Sequence, residues 1–266
     1  MTLLALAVMA AVLFAVSALA ALLGQGGGVL YTPIQIFAGV RFHEAATTSL
    51  FLIMVTSLSA TLVFRRGHRV DWPLAGVLEA ATALGAFVGG MGSEYLSGSF
   101  LMGLFSAVLV FAAVFMLRDL GARATPASES RRPFVWRRSF DAYDYGVNLL
   151  IALPASFAAG AVSGLIGVGG GLLKVPLMVV VLGVPMEIAV GSSAFMVGIT
   201  ATGGLAGHIV SGHWNPRTAL ILAVAVFAGA RIGARKSLTV DKDRLKRGFG
   251  WFLLAIAALM LGRAVL

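Results

Sequence analysis

The sequence predicts an all-α integral membrane protein built from two inverted-topology repeats of about five helical segments each. Three observations predict this fold class: an apolar composition, long uncharged stretches and an internal duplication. Of the 266 residues, 59% are hydrophobic, only 12% are charged and none is cysteine. Because a soluble domain carries about 25% charged residues, this composition excludes a soluble globular domain, a disordered chain and a disulfide scaffold.

Uncharged stretches indicate where the chain crosses the membrane. A helix of about 20 apolar residues spans the hydrocarbon core, and several stretches reach that length. Their residues are continuously apolar and do not alternate as the strands of a membrane barrel do, so they favour helices. Stretches without Asp, Glu, Lys or Arg include residues 1–40, 45–64, 95–117, 145–173, 218–230 and 248–262.

An internal duplication runs through the chain. The motif GQGGGVLYTP starts at Gly24 and recurs as GVGGGLLKVP from Gly167, an offset of 143 (167 − 24). A single GxGGG is a weak pattern, whereas two copies with matches across each half indicate a repeat. The further matches, at an offset of 143 or 144, pair Glu44 with Glu187, Ala46 with Ala189, Ser49 with Ser192, Gly85 with Gly229 and Gly89 with Gly233.

A polar segment separates the repeats and defines the predicted domains. Residues 1–118 form the first membrane repeat, residues 119–144 a cytoplasmic basic linker, and residues 145–266 the second, inverted repeat. Aromatic residues of the linker, among them Phe134 and Trp136, lie between arginines. They favour a segment on the membrane surface, with a plain solvated linker as the alternative.

Each half is predicted to contain a long helix up to the glycine motif, a short apolar segment and three longer segments. At about 12 residues, the short segments are below spanning length. We expect each to form a re-entrant hairpin with the preceding helix; a thin full crossing is the alternative. The short segments are 29–40 and 172–184, and the longer ones are 45–64, 72–91, 100–117, 188–210, 216–234 and 245–266.

The basic residues predict the orientation. Most lysines and arginines lie after residue 64, in the linker and after residue 234. Loops rich in Lys and Arg face the cytoplasm. The equivalent loops of the other half carry at most one, so the halves are expected to cross the bilayer in opposite orientations, each an odd number of times. Both termini then lie outside, and His208 and Trp214 are interpreted as interfacial.

The glycine motifs are the predicted substrate site. Three successive glycines break a helix and free backbone groups that hydrocarbon cannot satisfy, so such a break must line a cavity or be buried in protein. The restarted helix offers unpaired N–H groups, which favour anions. A purely structural hairpin is the alternative. The glycines are Gly26, Gly27 and Gly28 in one half and Gly169, Gly170 and Gly171 in the other. By contrast, Gly85, Gly89, Gly229 and Gly233 have the spacing of close helix packing.

Polar side chains near the breaks are the other candidates. Lys174 lies in apolar sequence, where a cation usually has a functional partner, although it can also snorkel to the interface. We expect the hydroxyl candidates either to bind an oxyanion or to cap a helix. For Glu44 and Glu187 the alternatives are proton coupling and, as we favour, capping of helix N-termini. The remaining substrate-binding candidates are Gln25, Thr48, Ser49, Ser192 and Ser193.

The duplicated motif resembles that of the sulfite exporter TauE/SafE family, also called the 4-toluene sulfonate uptake permeases, over nearly the whole chain. The resemblance implies a permease of the bacterial inner membrane for sulfur-containing anions such as sulfite, sulfoacetate and other organosulfonates. Only the second copy has Lys174, which implies an asymmetric site. The family motif falls on Gly24, Gly26, Gly27, Gly28 and Pro33, and on Gly167, Gly169, Gly170, Gly171 and Pro176.

The function expected from these features is secondary transport of a small anion by alternating access. We favour export, because the inside-negative potential supplies about 2.3 kcal/mol per charge per 100 mV. A passive anion channel and a non-transporting scaffold are the alternatives. No catalytic residue, metal site or cofactor motif is recognised, and the positive charge is ascribed to cytoplasmic loops and not to nucleic-acid binding. The expected partners are the anion and the lipid bilayer, and self-association stays open.

Overall fold

The computed structural model describes residues 3–22, 30–65, 70–118, 134–140, 143–210, 214, 216–236 and 242–265. These residues form ten α-helices and a single two-stranded hairpin. Six of the described helices are long and apolar enough to cross a membrane. The all-α membrane fold predicted from composition is therefore confirmed.

The first half contains five helices that follow the predicted segments closely. Two begin at side-chain caps: Asp71 Oδ1 accepts a hydrogen bond from Leu74 N at 3.3 Å, and Ser97 Oγ accepts one from Phe100 N at 3.2 Å. Such caps satisfy backbone N–H groups that have no partner within the helix. The helices are α1 (Leu3–Leu22), α2 (Tyr31–Phe37), α3 (Phe42–Phe64), α4 (Trp72–Gly92) and α5 (Gly98–Leu117).

The second half repeats this order. The Asn148 side chain caps its first helix by accepting from Leu150 N at 3.0 Å. The second helix of this half is short and widens into a π-helical turn over Leu177–Val181, directly after Pro176, which lacks an N–H for a regular helical bond. The helices are α6 (Leu149–Ile166), α7 (Gly171–Pro176), α8 (Met186–Val210), α9 (Pro216–Lys236) and α10 (Lys242–Val265).

The linker contains a β-hairpin that the sequence did not predict. Strands β1 (Val135–Phe140) and β2 (Tyr143–Asn148) are antiparallel, and Arg138 pairs with Tyr145. Tyr145 is fully buried against the start of α4, so the linker is anchored to the helices. The predicted boundary at residue 145 falls within β2, and the first helix of the second half begins at Leu149.

Glycines bring two pairs of helices into close contact, as their spacing predicted. A Cβ on Gly85 or Gly89 would overlap the carbonyl oxygen of Phe157 or Ala161, so α4 packs on α6 through backbone. The same arrangement joins α9 to α1. There, Gly229 and Gly233 meet the carbonyl oxygens of Phe14 and Ala18. Phe157 and Phe14 differ by the repeat offset, 157 − 14 = 143, so equivalent helices make equivalent contacts.

The order of contacts along each pair gives the helix directions. On the facing surfaces of α3 and α8, Ser57 meets Gly198 and Leu50 meets Gly204, so these equivalent helices are antiparallel. Helix α4 runs parallel to α6 and also to α8, because Ala83 meets Gly203 and Phe87 meets Gly207. Helices α6 and α8 therefore run in the same direction. The chain between the end of α6 and the start of α8 must lead back to the side of the bundle where α6 begins. This return fits a re-entrant hairpin of α6 and the short α7 as well as a thin full crossing by the short segment, so the hairpin stays a prediction.

The described residues that flank the three basic loops lie at one end of the bundle. Asp71, which comes after the first loop, binds Arg138 of the linker hairpin. Leu117, which precedes the linker, contacts Gly250 near the start of α10. At the opposite end, His43 of α3 meets the Ser93 carbonyl oxygen at 3.0 Å. The flanks of the basic loops thus lie at one end of the bundle, and the contact between His43 and Ser93 lies at the other.

Candidate substrate site

The second glycine break is enclosed by protein. Gly167, Gly169 and Gly170 have φ angles of 73°, 69° and 84°, a left-handed conformation that other residues rarely adopt. A Cβ at Gly167 would overlap Ala46 of α3, and a Cβ at Gly169 would press on Ile53. The break is thus buried against a helix of the other repeat, the environment that freed backbone groups need in a membrane.

The first break lies outside the described residues, and so do its candidates Gly24, Gln25, Gly26, Gly27 and Gly28. The end of that motif is described, however. Thr32, beside Pro33 in α2, donates a hydrogen bond from Oγ1 to the carbonyl oxygen of Gly167 at 3.3 Å. The described part of the first motif therefore touches the second motif directly.

Lys174 is the centre of a buried polar cluster. Only 1% of its surface is exposed, so the snorkelling alternative is wrong. Its Nζ donates to Glu79 Oε2 and to Thr200 Oγ1, the latter at 2.5 Å. The Thr200 hydroxyl in turn donates to Glu79 Oε1 at 2.6 Å. Helices α7, α4 and α8 thus each contribute one side chain to a closed ion-pair network, which we call the Lys174 cluster.

Sequence reasoning missed Glu79 and Thr200. Glu79 is the single acidic residue of the predicted 72–91 segment, and an ionisable residue inside a membrane segment is itself an indication of function. It is 2% exposed and pairs with a lysine 95 residues away along the chain. An uncompensated buried charge is costly, so the two charges hold α4 and α7 together.

Two further residues face the same point. A Cβ on Gly170 would lie 3.2 Å from Lys174 Cε, 3.3 Å from Thr200 Cγ2 and 3.5 Å from Ser163 Oγ. Ser163 is fully buried, and its Oγ is a buried side-chain atom without a hydrogen-bond partner in the described part of the chain. The side chains of Lys174, Thr200 and Ser163 therefore meet beside a glycine backbone, with Lys174 Cε, Thr200 Cγ2 and Ser163 Oγ as the nearest atoms. Ammonium and hydroxyl groups are donors of the kind that bind oxyanions, and those of Lys174 and Thr200 are engaged with Glu79.

The equivalent place in the first half is neutral. Tyr31 corresponds to Lys174 (174 − 31 = 143) and Thr56 to Thr200 (200 − 56 = 144). The Tyr31 hydroxyl and Thr56 Oγ1 are 2.9 Å apart, so each half has a hydrogen-bonded pair at this position. At the position of Glu79 the second half carries Ala223 (79 + 144). The expected asymmetry between the halves is therefore one of charge.

The hydroxyl candidates lie outside the Lys174 cluster. Ser49 is buried and accepts from Gln35 Nε2 at 2.9 Å, and Thr48 beside it is buried too. Ser192 accepts from the backbone N–H of Asp71 at 3.1 Å. It precedes Thr200 by eight residues, about 12 Å along α8, and Ser193 is its buried neighbour. The structure does not bring these serines to the Lys174 cluster.

The two acidic candidates are not among the members of the Lys174 cluster. Glu44 lies in the first turn of α3 and forms an ion pair with the exposed Arg41, and its own side chain is 36% exposed. The side chain of Glu187 lies outside the described residues. Helix capping and proton coupling by these two residues both stay predictions.

His208 is fully buried, because glycines on α4, α6 and α8 bring these helices together around it. Burial within the protein does not test the expected interfacial depth, which stays a prediction. Its Nε2 donates to the Gly164 carbonyl oxygen at 3.0 Å, and its Nδ1 lies 3.2 Å from Ser93 Oγ. The imidazole therefore ties α8 to α6 and to the end of α4.

A second buried ion pair fastens the linker. Asp71 is fully buried and accepts from Arg138 Nη2 at 2.5 Å and from the Tyr145 hydroxyl at 2.6 Å. Its hydrogen bond raises the pKa of the Arg138 guanidinium, and burial raises the pKa of the Tyr145 hydroxyl. The Arg138 guanidinium also lies over Trp136, 4.9 Å from the ring centroid.

The six long apolar helices define a multi-pass helical membrane protein. Residues 9–260 match the family described as sulfite exporter TauE/SafE, and the chain belongs to this family. Relatives of the chain are named as probable membrane transporter proteins.

Two of the relatives extend over most of this chain. "Probable membrane transporter protein YunE" of Bacillus subtilis (strain 168) is 28% identical over 224 residues, covering 80% of this chain and 81% of the relative. A "Probable membrane transporter protein" of Xylella fastidiosa (strain Temecula1 / ATCC 700964) is 27% identical over 248 residues, covering 91% and 90%. "Sulfite exporter TauE/SafE family protein 5" of Arabidopsis thaliana is 33% identical over 84 residues, covering 31% and 18%. No solved structure matches the chain.

Proposed function

We propose that the protein is a secondary transporter of small sulfur-containing anions, such as sulfite, sulfoacetate or another organosulfonate, and that it works by alternating access. One observation carries the proposal: Lys174, Thr200 and Ser163 converge on Gly170 inside a break between buried helices. The family description, sulfite exporter, supports a sulfur oxyanion as the substrate.

The chemistry of the Lys174 cluster suits such an anion. An ammonium group has three donors, and a hydrogen bond from a charged donor is stronger than one between neutral groups. Gly170 has no side chain, so a tetrahedral oxyanion would reach its backbone and Ser163 Oγ once Lys174 and Thr200 move apart. Burial of the cluster excludes water, which would otherwise weaken these contacts.

The position of the cluster supports alternating access. Thr200 is eight residues from Ser192 and eight from His208, about 12 Å along α8 in each direction, so it lies near the middle of that helix. The antiparallel pairing of equivalent helices α3 and α8 supports the inverted repeat. Transporters of this architecture bind substrate near the midplane between their repeats.

The ends of the bundle support the orientation that the sequence predicts. The described flanks of all three basic loops share one end, which we place in the cytoplasm, with both termini on the outer side of the bacterial inner membrane. For an anion that moves without a coupled ion, the membrane potential then favours export.

Flux through reconstituted proteoliposomes tests the proposal. Radiolabelled sulfite, sulfate, sulfoacetate, taurine and thiosulfate are each loaded, and saturable counterflow is expected for at least one of them. Gly170→Ala should abolish this flux, because alanine is strained at a φ of 84° and its Cβ would enter the cluster. Gly103→Ala in α5 is the matched control, since its Cβ would meet nothing within 4 Å. Flux that neither saturates nor shows counterflow would indicate a channel and overturn the proposal.

A further inference from the structure

We propose that Glu79 is a proton-binding site coupled to the substrate, so that each anion that binds at Lys174 brings one proton onto the Glu79 carboxylate. This inference rests on the proposed function, because it presumes an anion at the Lys174 cluster. It assigns a role to a residue that the transport site would otherwise not need.

Glu79 occupies the donors that an anion requires. Its Oε2 accepts from Lys174 Nζ, and its Oε1 accepts from the Thr200 hydroxyl. The carboxylate is therefore an internal anion in the place of the external one. A substrate that approaches Gly170 and takes the ammonium group as its partner must displace this carboxylate or share the donors with it.

Charge balance determines how the cluster accommodates a second anion. The cluster contains one cation and one anion, so its net charge is zero, and all three members are at most 2% exposed. A second anion would leave a buried negative charge without compensation, which is unfavourable by several kcal/mol. Protonation of Glu79 restores a net charge of zero for a monovalent substrate. The O–H that it creates can then donate to Thr200 Oγ1 or to the anion itself.

Among the described residues, no other ionisable group near Glu79 is placed to take this proton. Helix α6, which packs against α4, has no ionisable side chain, and the segment 171–181 has only Lys174. Helix α8 carries Glu187 and His208, and His208 lies about 12 Å from Thr200 along the helix, bound to Gly164 and Ser93. Asp71, with its partner Arg138, is eight residues before Glu79, again about 12 Å away along α4.

Ser163 shows where the anion would sit. Its hydroxyl is buried and unpaired in the described part of the chain, and it faces the same point at Gly170 as Lys174 and Thr200 do. A buried hydroxyl without a partner is unfavourable, and an oxyanion at this point would accept its proton. The Ser163 hydroxyl thus makes no hydrogen bond with the Glu79 carboxylate.

The coupling changes the energetics of transport. A monovalent sulfonate that moves with one proton carries no net charge across the membrane. The membrane potential then neither helps nor opposes it, and the direction of net flux depends on the anion gradient and the pH gradient. Electroneutral flux of a monovalent sulfonate is therefore a consequence that separates this inference from uncoupled export.

Proton uptake on binding tests the inference in the purified wild-type protein. Sulfate, thiosulfate, sulfoacetate and isethionate keep a constant charge between pH 6 and 8, so a pH indicator in weakly buffered solution reports protons taken up by the protein alone. For isethionate, the monovalent anion of the four, we expect about one proton per bound anion and an affinity that falls about tenfold per pH unit where Glu79 is ionised in the substrate-free protein. Binding without proton uptake would overturn the inference while the proposed function stands.

Variants assign the proton to a residue. Glu79→Gln mimics the protonated form, so it should bind the same anion without proton uptake and with an affinity independent of pH. Glu94→Gln, which changes an exposed acid after α4, is the matched control and should keep the wild-type stoichiometry. One proton per anion in Glu79→Gln would overturn the assignment. If Glu79→Gln does not fold, the wild-type stoichiometry still decides whether coupling exists. If no anion binds to the wild type, both the inference and the proposed function fail.

Discussion

Lys174 and Tyr31 occupy equivalent positions in the two halves of the chain, and each hydrogen-bonds the equivalent threonine of the next long helix: Thr200 for Lys174 and Thr56 for Tyr31. The two halves therefore have the same hydrogen-bonded pair at this position, and they differ in the charge of its first member. Only one of the two positions has an acidic partner, Glu79, and an adjacent hydroxyl that is unpaired among the described residues. The asymmetry locates the proposed substrate site in the second half.

The Lys174 cluster can be made to resemble its neutral counterpart. Glu79→Ala or Lys174→Tyr alone leaves one buried charge unpaired, and we expect each to lower the free energy of unfolding by about 3–5 kcal/mol. The double variant removes both charges and installs the residue types of the equivalent positions, Tyr31 and Ala223, so it should lose less than either single variant. Denaturant unfolding in detergent measures the three values. Additive losses in the double variant would show that the charges are not coupled.

The pH dependence of transport distinguishes Glu79 from Glu44. Glu44 forms an exposed ion pair with Arg41, and neutralising an exposed carboxylate at the end of a helix should not alter the charge of a buried cluster. We therefore expect Glu44→Gln to keep the wild-type pH profile of flux and Glu79→Gln to flatten it. Initial rates between pH 6 and 8 give both profiles. A flat profile in Glu44→Gln alone would transfer the coupling role to that residue.

The glycine contacts predict equal sensitivity in the two halves. Gly89 packs on Ala161 as Gly233 packs on Ala18, with no room for a Cβ in either place. Replacing either with alanine forces the helices apart, and we expect a loss of about 1–3 kcal/mol in each case. Gly76→Ala is the control, because its Cβ would meet nothing within 4 Å. Thermal unfolding midpoints compare the variants, and a stable Gly233→Ala would contradict the close approach of α1 and α9.

The linker hairpin should contribute to stability through Asp71. Arg138→Met removes two hydrogen bonds to a fully buried carboxylate, and we expect a loss of about 1.5–3 kcal/mol. Arg41→Met breaks an ion pair in which the arginine side chain is 83% exposed, so it should change stability by less than about 1 kcal/mol. Unfolding midpoints of the two variants test this contrast. Equal effects would mean that the hairpin is only loosely attached.

The sequence was sufficient for features that depend on local pattern. The membrane helices were predicted within a few residues, because continuous apolar runs reveal burial in lipid whatever their packing partners. The contacts of Gly85 and Gly89 were predictable from their four-residue spacing, and the second broken helix from three glycines in a row. In each case the residues that determine the feature are neighbours in the chain.

Features that depend on distant residues were not predictable in the same way. The partner of Lys174 is 95 residues away, and only the packing of α4 against α8 brings Glu79 to it. The burial of His208 depends on glycines in three different helices. The hairpin was missed because its strands are six residues long, and its arginines and aromatics also fit a segment on the membrane surface.

The reciprocal packing of α1 on α9 and of α4 on α6 has a consequence for biosynthesis. Helix α1 can pack on the glycines of α9 only after α9 has been synthesised, about 200 residues later. The glycines of α4 can pack on α6 only after the linker and α6 have been synthesised. When the fifth helix of the first repeat has left the ribosome, two surfaces are still exposed to lipid. They are the surface of α1 that packs on the α9 glycines and the glycine surface of α4 that packs on α6. The two halves are therefore expected to mature together, and an amino-terminal fragment that ends in the linker should be a substrate for membrane quality-control proteases.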